Sequence, residues 1–131
     1  MSQKLASIAK PWIDRLGESP PQPSMAAAYA LSSLIWNASR LPEPAEREVA
    51  LAEARGLFAQ ALSGLPMTKV VELVREIYER ACRLYPDDAR LILGTDVEDR
   101  GGGQYFLRVA TLDHSGGQSS ASGVDTSHGP G

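Results

Sequence analysis

The residues best suited to chemistry are the acids before a glycine turn: Asp96, Glu98 and Asp99, followed by Arg100 and Gly101-Gly102-Gly103. Closely spaced carboxylates hold hard divalent cations through oxygen, and an arginine beside them steadies a phosphate. With Asp87 as a further ligand just upstream, the pattern suggests metal-dependent phosphodiester cleavage. Two dedicated loop motifs fail. Counted from Asp96, a calcium loop has Gly101 in place, but Arg100 stands fifth and Leu107 twelfth, where oxygen ligands belong. A phosphate-cradling loop needs a lysine, a Ser/Thr and a helix after its glycines, whereas Gln104 and a strand pattern follow here.

Pro86-Asp87 together with Glu98 and Arg100 resembles the arrangement of the PD-(D/E)xK nucleases, which implies the same phosphodiester chemistry. Arginine stands where that family has lysine, and the acids sit at a turn instead of within a strand. The competing reading is that these are solvated turn carboxylates, and it is the one favoured here. Nucleophilic catalysis lacks partners, because His114 and His128 fall at the edge of or inside a flexible tail. One cysteine and two tail histidines do not make a zinc site. The sequence therefore predicts no catalytic residue, no metal and no cofactor.

These residues are carried by Arg90–Leu112, two apolar runs flanking the acidic turn, which read as a β-hairpin. If Val97 faces Tyr105, then Thr95 faces Leu107, Leu93 faces Val109 and Leu91 faces Thr111, and nearly all apolar residues share one side. Ile92, Gly94, Asp96 and Glu98 then line the other side with Gln104, Phe106, Arg108 and Ala110. Arg100, Gly101 and Gly102 form the loop. An isolated hairpin is marginal in water, so helices or another chain must cover it.

Four amphipathic patterns precede it. The first repeats Leu5, Ile8, Ala9, Trp12, Ile13 and Leu16 on one face, with a kink or restart expected at Pro11. After a proline-rich linker, Ser19 to Pro23, Ser24 caps a second helix reaching about Ser39. No charge occurs from Ser19 to Ser39, yet prolines, serines and Asn37 make the stretch too polar for a bilayer span. It reads as a central helix with Ala27, Leu31, Leu34, Ile35 and Ala38 inward. Met25, Tyr29 and Trp36 form a flanking stripe, read as core with a partner surface as the alternative.

The third helix buries Ala50, Leu51, Ala54, Leu57, Phe58, Ala61, Leu62 and Leu65 and stops at Gly64 and Pro66. The fourth begins near Thr68 and buries Val70, Val71, Val74, Ile77, Tyr78, Ala81, Leu84 and Tyr85. Arg75–Glu79, Glu76–Arg80 and Glu79–Arg83 pair along its outside. The short link Ser63 to Met67 makes these two helices an αα-hairpin. Tyr78 to Pro86 resembles the end of a tetratricopeptide repeat, covering one helix with no second copy at the required period. A helix-turn-helix DNA-binding regulator is a further alternative, opposed by Glu72, Glu76 and Glu79, which repel phosphates.

From Asp113 onward, Gly, Ser and polar residues surround a single large apolar one, Val124, so residues 113–131 are expected to be a disordered tail. Residues 1–112 then form one α+β domain: a mainly α, four-helix unit with a C-terminal two-stranded antiparallel hairpin at about 90–112. A net charge of −3 with interleaved signs argues against nucleic acid as a partner. The lone Cys82 beside core-facing Ala81 reads as a buried or half-buried structural thiol compatible with a reducing cytosol, and no signal-type apolar run opens the chain. Together these features suggest a non-catalytic cytoplasmic accessory protein, not membrane-bound, that binds another protein. Asp96, Glu98, Asp99, Arg100, Tyr105 and Phe106 are the candidate contacts, and homodimerisation by hairpin pairing is a special case.

Overall fold

In chain order the helices are α1 (Ser2–Arg15), α2 (Gln22–Ser39), α3 (Pro44–Ala61) and α4 (Met67–Leu84). The strands β1 (Leu91–Gly101), β2 (Gln104–Leu112) and β3 (Ser119–Ser127) follow. This computed structural model describes residues 1–17, 20–62, 64–101, 104–112 and 119–127, the last span as backbone alone. The expected α+β architecture is present: four helices and an antiparallel β1–β2 hairpin. Among the described residues no helix is long and apolar enough to cross a membrane.

Uncharged along its whole length, α2 occupies the centre, touching α1, α3, α4 and β1. Met25, Tyr29 and Trp36 lie fully inside, so the flanking stripe is core, while Leu34 turns outward at 42% exposure. A helix apolar on several sides has no polar face to fix its rotation, and the packing of its neighbours decides. The helix starts at Gln22, with Pro21 as N-cap and Pro23 in the first turn, ahead of the expected Ser24 cap. Proline suits that position because first-turn amides have no helical acceptor. Trp12 of α1 meets Phe58 of α3, their ring centroids 4.3 Å apart.

Some predicted core positions face solvent instead: Leu57, Leu65, Val71 and Leu84 are exposed, and Leu73 of α4 is buried in their place. Cys82 is exposed, not buried, because one step past Ala81 rotates a helical residue off the inner face. Nor does α1 break at Pro11; the helix runs through it. Proline supplies no amide to the Ser7 carbonyl four residues back. The Arg80 guanidinium takes that place, its Nε and Nη2 donating to Ser7 O at 3.1 and 2.8 Å. Arg80 thus ties α4 to α1, a role the surface-pair reading missed.

Hairpin register differs from expectation by two residues. Val97 pairs Leu107, Thr95 pairs Val109 and Glu98 pairs Phe106, with Gly101 opposite Gln104 and irregularities at Ile92/Gly94 and Asp99/Gly101. A slip of two keeps each side chain on its face, which is why the inward row was read correctly from Thr95 to Val109. The irregularity after Ile92 reverses the parity below it. Ile92 is buried at 5% exposure and Leu93 points out at 58%.

Beyond the hairpin, the backbone of Ser119–Ser127 lies antiparallel along β2, giving a sheet ordered β1-β2-β3. Ladder hydrogen bonds come from the main chain, so a run of Ser, Ala, Gly, Asp and Thr with one valine can make them. The other parts of the expected tail, 113–118 and 128–131 with His114 and His128, lie outside the described residues. So do Glu18, Ser19, Ser63, Gly102 and Gly103.

Candidate functional site

One face of the sheet is closed by helices. Val97, Leu107, Val109 and Thr111 point into them and are buried. The opposite face is built from the alternate residues, and there Asp96 stands across from Arg108 and Glu98 across from Phe106. Arg108 Nη2 binds Glu98 Oε2 at 2.9 Å, its Nη1 lies 3.8 Å from Asp96 Oδ2, and Arg100 Nη2 lies 3.8 Å from Glu98 Oε2. Both guanidinium groups also approach the Phe106 ring, Arg100 at 4.3 Å and Arg108 at 5.4 Å from its centroid. The result is a half-exposed aromatic ring in contact with two cations that two carboxylates neutralise.

Of the six residues singled out from sequence, Asp96, Glu98, Arg100 and Phe106 share this outer face. Asp99 is occupied with the turn, its Oδ1 accepting the Gly101 amide at 2.8 Å. Gly101 has φ 82°, a backbone region that suits glycine. Tyr105 belongs to the other side: it is 7% exposed, and its hydroxyl donates to Pro20 O at 2.6 Å. It anchors the sheet to the segment entering α2. Arg108 is the residue that the sequence reading left out of the set. Its position on the polar row was readable, but its contact with Glu98 emerges only in the correct register.

Both edges of the β1–β2 hairpin are engaged. Side chains of α2 line the outer edge of β1: Asn37 Nδ2 donates to Ile92 O at 2.9 Å while the Ile92 amide donates to Asn37 Oδ1 at 2.7 Å. Trp36 Nε1 donates to Arg90 O at 2.8 Å, and Gln22 Nε2 to Val97 O at 2.6 Å. On the far side, β3 lies along β2. Hairpin-to-hairpin pairing would therefore have to displace one of these neighbours.

Asp87 is remote from the hairpin acids in its contacts. It lines a cleft of about 390 Å³ with Lys4, Tyr85, Asp88 and Arg90, to which no residue of the turn contributes. Asp88 there is a structural clamp, accepting from Lys4 Nζ at 2.7 Å and from Arg90 Nε and Nη2 at 2.9 and 2.6 Å. Those hydrogen bonds, Arg90's foremost, hold its carboxyl well below the usual carboxylate range against the opposing effect of burial. Arg40 closes the end of α4, donating to Ala81 O, Tyr85 O and Asp88 O while stacking 4.1 Å from the Trp36 ring. Among the described residues, no three His, Cys, Asp or Glu side chains gather as a metal site.

No family model matches the chain, and no curated protein or solved structure matches it.

Proposed function

We propose that this chain is a small non-catalytic interaction protein of the cytoplasm that binds another protein through the outer face of its sheet. The observation that carries the reading is Phe106, half-exposed and in contact with Arg100 and Arg108 on the face turned away from the helices. Aromatic and arginine side chains are enriched where proteins bind, the rings because they offer large rigid area with little entropy to lose, the guanidinium because it brings five hydrogen-bond donors. The charges beside Phe106 are balanced, which favours a mixed protein surface over a polyanion. Leu93 of β1, turned outward by the irregularity beside Gly94, adds exposed apolar area on the neighbouring strand. A single cysteine supports the assignment to a reducing compartment.

The metal-dependent cleavage alternative is less well supported, because the Arg108 guanidinium already pairs with both Asp96 and Glu98. The DNA-binding alternative fares similarly, since α4 buries one face against the other helices and carries Glu72, Glu76 and Glu79 outside.

A photo-crosslinking amino acid placed at Phe106 tests the reading, with the same group at Glu76 of α4 as control. A protein adduct formed in cells from position 106 and not from 76 is the expected result. Equal adducts from both positions, or none from position 106, would reject the outer face as the binding surface.

A further inference from the structure

β3 follows β2 along its full length, from Gln104 opposite Ser127 to Leu112 opposite Ser119. Four residues of β2 point toward the helices: Tyr105, Leu107, Val109 and Thr111, all buried. On the β1 side, Leu107, Val109 and Thr111 stand opposite Val97, Thr95 and Ile92. On the β3 side, the positions opposite Tyr105, Leu107, Val109 and Thr111 are Thr126, Val124, Ser122 and Ser120. Only one of those four is an aliphatic residue. Serine and glycine are poor strand formers, and cross-strand apolar pairs are what stabilise one strand beside another. The ladder itself is indifferent to sequence, so another extended segment in the same place keeps every main-chain bond and adds apolar contact.

We infer that β3 is a replaceable occupant of the β2 edge, and that the binding partner presents an extended segment with branched apolar residues at alternate positions. This is strand addition, with main-chain bonds giving affinity and the alternate side chains giving selection. It rests on the protein-binding reading above and specifies how the partner docks. The other row of β3 points the same way. Gly123 stands opposite Arg108 and Asp125 opposite Phe106, so an incoming strand continues the outer face beside Phe106.

The test uses the full chain, isotope-labelled, and a nine-residue peptide of the β3 sequence carrying valine at the positions of Ser120, Ser122 and Thr126. A variant combining Gly123→Pro with Val124→Pro interrupts the β3 ladder whichever of the two amides faces β2. The valine peptide is expected to shift the amide resonances of Gln104–Leu112 and to bind the proline variant about tenfold more tightly than the native chain, since the competing strand is gone. A peptide of unaltered β3 sequence is expected to bind that variant more weakly. Equal affinity for the native and proline chains, equal affinity of the two peptides, or β2 resonances that do not move would each overturn the inference.

Hydrogen exchange on the native chain gives a check that needs no variant. Amides of β2 bonded to β3 should exchange about a hundredfold faster than those bonded to β1, reflecting local release of one strand. Equal protection on the two sides overturns the proposal. The crosslink at Phe106 reads the face and the peptide competition reads the edge, so either reading can fail alone.

Discussion

Arg80 of α4 donates two hydrogen bonds to the carbonyl of Ser7, the group that Pro11 leaves without its helical donor. A charged donor from a neighbouring helix thus lets a proline sit inside α1 without ending it. Arg80→Ala is expected to lower stability by about 1.5–3 kcal/mol, the range for hydrogen bonds to charged groups. In a Pro11→Ala background residue 11 regains its amide, and the Arg80→Ala loss should shrink by about 1 kcal/mol. Urea unfolding of the four chains of this double-mutant cycle measures the coupling, and strictly additive losses would show that Arg80 does not serve the proline gap.

Asn37 acts toward Ile92 as a neighbouring strand would, accepting from its amide and donating to its carbonyl. Asn37→Ala removes both partners from a buried residue at the start of β1, at an expected cost of about 1–3 kcal/mol. The Ile92 amide should then lose protection against hydrogen exchange well before that of Asp96 further along the strand. If the two amides change together, the clamp is not local and the irregularity after Ile92 has another origin.

That clamp also explains what could be read from the sequence and what could not. Helix periodicity identified Leu5, Ile8, Trp12, Phe58, Val74 and Ile77 as core because a strong polar face opposes them. The uncharged α2 offered no such contrast, and Leu34, expected inward, faces out. Hairpin existence was legible from the apolar runs and glycines, but register was not. Leu93 faces outward through a break in pairing set beside Asn37, a contact spanning 55 residues. The Arg80–Ser7 bridge spans 73. At the candidate site, the acids and Phe106 were readable as a polar row, whereas Arg108 and the inward Tyr105 depended on register and on the Pro20 contact.

Asp88 makes stability depend on acid. Its folded-state pKa is depressed below the unfolded value of about 3.9, so its contribution is fully present above that pH and is lost as pH falls through the folded value. With a side chain 7% exposed and bound by Lys4 and Arg90, the loss is expected to be on the order of 2 kcal/mol. Asp88→Asn should be less stable at pH 7 by about that amount, with a flatter profile below pH ~4. Thermal unfolding from pH 7 down to pH ~2 measures both chains, and parallel curves would mean that other carboxylates govern the acid limb.

Adjacent residues on β2 give the sharpest separation of stability from binding. Leu107 is fully buried among the helices, and Leu107→Ala is expected to cost about 2–5 kcal/mol, as cavity-forming changes do. Phe106, one position away on the outer face, is half-exposed and lies against Arg100 and Arg108, so Phe106→Ala should cost no more than about 1 kcal/mol. Arg108→Ala, which removes the exposed pairs to Asp96 and Glu98, should cost about 0–1 kcal/mol. If the ring contributes so little to folding, the fold itself gives it no reason to stand on the face away from the helices. The binding reading supplies one, since loss of a central aromatic commonly removes about 2 kcal/mol or more from an interface. Denaturant unfolding of the Ala variants measures the first half, and partner capture by the Phe106→Ala chain at matched folded concentration measures the second. A Phe106→Ala loss as large as that of Leu107→Ala would mean that the outer face is part of the folding core, and the case for it as a docking surface would fall.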